Sequence, residues 1–293
     1  MRMTVRRRSG HLQSTEGMIQ NFLSKPVRLI MMGLLFIVVV FPLYWLASTS
    51  LKPEADTLVY PPMMIPLRIT LENYSHIFFK GNVLKGLYNT AIVTVVSTLF
   101  AVLFGNLAAY ALVKGKLGKI RHFFAFWFLV QKMYPAIAMA IPIYMTMRNL
   151  RLIDTHLALI IINTSFSLPL VIWLMMGFFR EIPAAIEESG IIDGASMSQR
   201  FFSLVMPIAK TGLIAAAILT FVNVWNEFLF AVILTVRNAK TLPVMISSYI
   251  TDRGLDWGPM TATGVTIILP VLLLVWILQK DFINGLVMGS VKG

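Results

Sequence analysis

The chain has 293 residues, of which 57% are hydrophobic and 13% charged, with no cysteine, a formal net charge of +12 and a mean hydropathy of +0.77. A soluble domain carries about 25% charged residues, so this chain cannot cover its surface with polar groups and lipid must be its solvent. Lack of cysteine excludes disulfides, thiolate metal sites and a lipoprotein anchor. The positive charges lie between apolar runs rather than on a basic stripe interleaved with aromatics, which argues against nucleic acid as a partner.

The opening MRMTVRRRSG has the charge of a signal-peptide start, but the apolar run behind it, 27–47, is too long for a signal-peptide core, so it reads as a retained span. Five more runs follow at 87–113, 123–147, 157–179, 212–236 and 260–278, each long enough as a helix to cross a hydrocarbon layer of about 30 Å. A helix also satisfies its own backbone groups in lipid, so the expectation is an all-α membrane protein of six transmembrane helices. Residues 1–26 form an N-terminal segment and 27–293 one six-helix domain. An even number of spans puts both termini on one side. The basic short loop with Lys114, Lys116, Lys119 and Arg121, together with Arg6, Arg7, Arg8, Lys25 and Arg28, makes that side cytoplasmic. The 180–210 loop and the tail 279–293 fall on the same side, while the proline-rich stretch 48–86 and the loop 237–259 fall outside.

The 180–210 loop is neither apolar enough to span nor polar enough to be a slack linker. Pro183 suits a first helical turn, Gly190 can stop that helix, and Asp193 can cap a second one. In the second helix Met197, Phe201, Leu204, Val205 and Ile208 fall on one apolar stripe, which suits either an interfacial helix or one that docks a partner. Glu188-Ser189-Gly190, three residues, Gly194, nine residues, Leu204, one residue, Met206-Pro207 resembles the cytoplasmic signature of binding-protein-dependent importer permeases. Around it SLKPEAD, ITLENY, MYPAIAMAIPIY, WNEFLFAVILT, TLPV and GLVMGSVKG occur in the order found in maltose-type sugar permeases, specifically the smaller subunit of the pair.

That resemblance implies a type I ABC importer permease fold with a cytoplasmic coupling helix, in a bacterial or archaeal cytoplasmic membrane. It implies a second, homologous permease subunit, two ATPase subunits carrying the ATP and magnesium, and an extracytoplasmic solute-binding protein. Glu188, Ser189, Gly190, Asp193, Gly194, Ala195, Phe201, Leu204 and Pro207 then become the ATPase-docking residues, with Glu188 as polar anchor, Gly194 as close-approach point, and Phe201 and Leu204 as apolar plug. No phosphate loop stands in the chain itself, because Gly115-Lys116 and Gly118-Lys119 are followed by Leu117 and Ile120, so the chain is expected to bind no cofactor and to catalyse no hydrolysis.

Inside the spans, Glu227 beside Asn223 and Asn226, and Lys132 beside Tyr134, are candidates for the substrate pathway, since an intramembrane charge is expensive. Packing and mutual pairing are the competing roles. The reading is ATP-driven import of an oligosaccharide, and Lys132 together with an outer excess of basic residues (Lys52, Arg68, Lys80, Lys85, Arg148, Arg151, Arg237, Lys240, Arg253) points toward an acidic one. The rival is a proton-coupled carrier using Glu227 and Lys132 as its relay.

Overall fold

A computed structural model of the chain describes residues 25–115, 117–252 and 254–290, with side-chain surroundings described between 26 and 279. The basic residues expected at 6–8 and at 116 and 253, and the end of the tail at 291–293, lie outside the described residues. Among the described residues the regular structure is helical apart from a two-residue antiparallel pair, β1 (Ile250–Thr251) and β2 (Gly254–Leu255). The helices are α1 (Lys25–Ser50), α2 (Glu54–Thr57), α3 (Glu72–Phe79), α4 (Val83–Lys114), α5 (Ile120–Met133), α6 (Ala140–Asn149), α7 (His156–Glu181), α8 (Ala184–Ile192), α9 (Met197–Ile208), α10 (Lys210–Trp225), α11 (Leu229–Leu234), α12 (Leu242–Ser247) and α13 (Trp257–Ser290). Among the described residues four helices, α1, α4, α7 and α13, are long and apolar enough to cross a membrane, and the bent helix pairs raise the number of candidate crossings to six.

The centre of the bundle is α4 against α7, which make the most extensive helix contact in the fold. Ser97, Ala101, Gly105 and Ala109 recur every four residues on α4 and are all buried. Small residues at that spacing let two helices approach closely where lipid supplies no hydrophobic drive. A Cβ on Gly105 would stand 2.6 Å from Cγ1 of Val171 on α7, so glycine is required there.

Two of the expected straight spans are broken. The run 123–147 is α5 and α6, bent by 94° across a short break. Tyr134 adopts an extended ψ of 130° before Pro135, as a residue preceding proline must, and Ala136–Met139 winds as a 3-10 turn. The run 212–236 stops at Trp225 and restarts at Leu229, so α10 alone covers only about 24 Å.

The far end from the 180–210 loop is tied by polar side chains to backbone. Asn73 donates to the carbonyls of Ser50 and Lys52 at 2.9 Å each. Asn89 donates to those of Asn238 and Lys240, and its oxygen meets His156 Nε2 at 2.7 Å. Asp154, at a φ of 62°, accepts from the backbone N–H groups of Val236, Arg237, Asn238 and Ala239 at 2.9–3.1 Å. Burial pushes the Asp154 carboxyl up, but these four donors outweigh it and hold it at about 2. Lys52 is not an outer-surface charge: it is 2% exposed, donates to the Met63 carbonyl at 2.7 Å and lies over the Trp45 ring. Burial lowers its ammonium from the usual value, against the raising pull of Asp56.

Candidate functional site

At the opposite end α8 and α9 form a helix–turn–helix between α7 and α10, with α9 meeting α10 at 81°. Pro183 is the residue before the first helical position, and α8 runs on through Gly190 to Ile192. Gly190 therefore does not stop the helix. Asp193 ends α8, and Gly194 makes the turn at a φ of 76°, where an L-residue is strained. Asp193 does not cap α9 either: Ser196 accepts from the Gln199 N–H while Gln199 accepts from the Ser196 N–H, a reciprocal capping box. Asp193 and Ser196 are both good cap residues in sequence, and only the turn geometry chooses between them.

The close-approach point moves as well. A Cβ on Gly194 would meet nothing within 4 Å, whereas one on Gly190 would stand 2.6 Å from Leu204 Cδ1. Gly190 is thus where α8 and α9 touch, and Gly194 serves the backbone. Nor does the apolar stripe of α9 stay on one face. Arg200–Val205 winds as a π-helix, which turns Phe201 and Val205 inward and leaves Met197 and Ile208 exposed. The Phe201 ring lies 4.9 Å from Tyr110 and 6.4 Å from Phe179, centroid to centroid. Phe201 holds the unit to its own bundle instead of standing free as a plug, and half-buried Leu204 packs on Gly190 within the unit. The outward apolar residues are Ile191, Ile192, Met197, Phe202 and Ile208, beside exposed Glu188, Ser189 and Pro207, with Ala195 half-buried at the turn.

A polar fastening that sequence reasoning missed lies beneath. Glu187, 9% exposed, points away from Glu188 and into the bundle. Its Oε2 accepts from the Tyr110 hydroxyl at 3.0 Å and its Oε1 lies 3.1 Å from Lys114 Nζ. Lys114 also donates to the Ile182 carbonyl at 3.0 Å. The last turn of α4 is thereby tied to the first turn of α8. Position offers the signal: Glu187 and Gly190 are three apart, the spacing of one helix face, and both are buried.

The intramembrane candidates separate into two groups. Lys132 and Tyr134 stand exposed at the end of α5, and Asn223 and Asn226 exposed near the end of α10. Glu227 sits in the break between α10 and α11, where its two oxygens accept from the N–H groups of Phe230 and Ala231 at 2.7 and 3.0 Å. It caps α11, a placement that favours a carboxylate at a helix start. Among the described residues no ion pair joins it to Lys132. Asn226 also borders a cavity of about 360 Å³ with Phe228, Ser247 and Ile267.

Residues 101–280 match the family described as Binding-protein-dependent transport system inner membrane component. The chain belongs to this family. The permease is 34% identical to the sulfoquinovosyl glycerol transport system permease protein SmoH of Agrobacterium fabrum, over 96% of this chain and 98% of that one. It is 34% identical to the trehalose transport system permease protein SugB of Mycobacterium tuberculosis, over 86% and 92%. Its fold is that of a type I ABC importer permease: it superposes with a TM-score of 0.73 and 24% identity on a chain of a bacterial ABC transporter involved in the import of the acidic polysaccharide alginate, covering 87% of this chain and 95% of that one. An importer permease is an inner-membrane subunit that works with a second permease and an ATPase, and ATP belongs to the ATPase.

Proposed function

We propose that the permease forms half of the pore of an ATP-driven importer of a saccharide, and that α8 and α9 take their motion from a docked ATPase subunit and pass it to α4, α7 and α10. The α8–α9 unit carries the reading. Its outer face offers Glu188 among the exposed apolar residues Ile191, Ile192 and Phe202, and its inner face is fastened to the bundle by Phe201, Val205 and Glu187. An element apolar on one side and anchored on the other can move the helices it is anchored to when a partner grips the exposed side. The proton-relay alternative has no support in the geometry, since Glu227 is engaged by backbone N–H groups and unpaired with Lys132. The same reading puts the tail from 279 on the ATPase side, because α13 starts beside Asn73 at the far end of the bundle and is long enough to cross it.

The saccharide follows from the relatives, whose names include a sulfonated glycoside and a disaccharide. Lys132, exposed at the end of α5, favours a negatively charged one, because an ammonium facing the solute path gains an anionic partner that a neutral sugar cannot supply. The coupling role is tested in the reconstituted transporter with Glu188→Lys and with Gly194→Leu. Each is expected to keep insertion and to cut solute uptake per ATP hydrolysed by at least about tenfold. Uptake at the wild-type rate with the ATPase still co-purifying would overturn it.

A further inference from the structure

Beside the fastening of Glu187 lies a cavity of about 490 Å³ bounded by the end of α4, the start of α5, the end of α7 and the start of α8. Its chemistry is divided. Leu112, Val113 and Phe179 make an apolar wall, and Lys114, Arg121 and Arg180 supply three cations against the single carboxylate of Glu181. Lys114 is already committed to Glu187 and to the Ile182 carbonyl. Arg121 and Arg180 are exposed, and among the described residues no carboxylate lies within ion-pair distance of either. The cavity also receives the first turn of α8, whose preceding residue Pro183 offers no side chain to its free N–H groups. Two unpaired guanidiniums and an uncapped nine-residue helix converge on one opening. Such a set takes an anion with several acceptor oxygens.

Position narrows the anion. The cavity stands where α4 and α7 end and α5 begins, so it lies at the level of the lipid headgroups on the side that carries α8 and α9. Exposed Phe123 and Phe124 continue from Arg121 along α5 as a surface for acyl chains. We infer that this cavity holds the phosphodiester of an anionic phospholipid, with Arg121 and Arg180 on its oxygens and the acyl chains along α5. A basic pocket between membrane helices on that side is a recognised form of lipid-headgroup site. The lipid would brace the junction of α4, α7 and α8, and its binding is independent of which solute is carried.

The test uses the full chain purified in a mild detergent, titrated with equimolar phosphatidylglycerol and phosphatidylcholine and read by native mass spectrometry. Wild type is expected to retain phosphatidylglycerol over phosphatidylcholine by about tenfold or more. The double variant Arg121→Gln/Arg180→Gln should bring that preference to within about twofold, while Arg121→Lys/Arg180→Lys, which keeps the charge, should retain most of it. Equal retention by wild type and the glutamine variant overturns the proposal. Displacement of the lipid by millimolar inorganic phosphate would make the site one for a free anion and overturns the lipid assignment. A glutamine variant that keeps its lipid preference but loses the co-purifying ATPase would assign the arginines to that partner instead, and also overturns it.

Discussion

Two carboxylates next to each other in sequence do opposite work. Glu188 faces out and Glu187 faces in, because successive helix residues are about 100° apart, and burial then demands partners for the inner one. Removing one member of a buried pair strands the other, at about 3–5 kcal/mol when burial is complete and less with the 15% and 11% side-chain exposure of Lys114 and Glu187. Glu187→Gln should therefore lower the thermal midpoint in detergent, and the double variant Lys114→Met/Glu187→Gln should recover part of the loss. A double variant whose loss equals the sum of the losses of Glu187→Gln and Lys114→Met would show that the two charges do not act as a pair. Asp154 is the corresponding residue at the far end. Its folded carboxyl titrates at about 2 against 3.8 ordinarily, so its contribution is fully present above about pH 4 and is lost as the pH falls toward 2. Asp154→Asn should be less stable than wild type at pH 6, with the difference closing between about pH 4 and pH 2 in thermal melts across that range.

At the scale of elements, backbone approach decides more than side-chain chemistry. The α4–α7 contact depends on Gly105, opposite a β-branched Val171 whose χ1 freedom is small, so an added methyl cannot be absorbed by a rotamer change. Gly105→Ala is expected to cost about 1–3 kcal/mol through overpacking, seen as a lower thermal midpoint with insertion intact. At Gly190 the opposing atom is the far end of Leu204, which can move, so Gly190→Ala should cost less than Gly105→Ala. The reverse order would mean that α8 and α9 are held more rigidly than the central helix pair. The breaks also belong to this scale. Pro135 bends the third span because the residue before proline is driven out of the helical region, and Glu227 restarts a helix after Asn226 by supplying an acceptor to its first turn.

In the whole molecule the burial is uneven. Between Pro26 and Ala47 α1 has no buried residue, and α5 has none, whereas α4 and α7 carry buried residues along their length. Lipid or the second permease must cover α1 and α5, and the end of α5 is where Lys132 stands. This exposure gives Lys132 its test. Uptake of a uronate-containing oligosaccharide should exceed that of a neutral one of equal length, and Lys132→Met should erase most of that preference with ATPase activity retained. Equal uptake of the two sugars by wild type would make Lys132 a packing residue. The outer basic excess gives less support than its count suggests, since Lys52 is enclosed by Trp45 and the Met63 carbonyl.

The sequence alone determined the solvent, the number of candidate crossings and the helix–turn–helix within 180–210, because each rests on composition or on spacing along one chain. Glu188, Gly194 and Pro207 enter the proposed docking loop that way, since a signature read in register needs no third dimension. Other assignments required the tertiary structure. Gly190 and Gly194 exchange the roles expected of them because one faces Leu204 and the other only a turn, a difference that arises when α8 and α9 pack. Phe201 leaves the proposed docking face because a π-turn shifts the helical phase between Arg200 and Val205, and hydrophobic periodicity carries no mark of that shift. Glu187, Lys114 and Tyr110 come together across 77 residues of chain, and Asp154 reaches backbone donors 82–85 residues away. No local pattern encodes such contacts, because what selects them is the cost of leaving a polar group unsatisfied where water has been excluded.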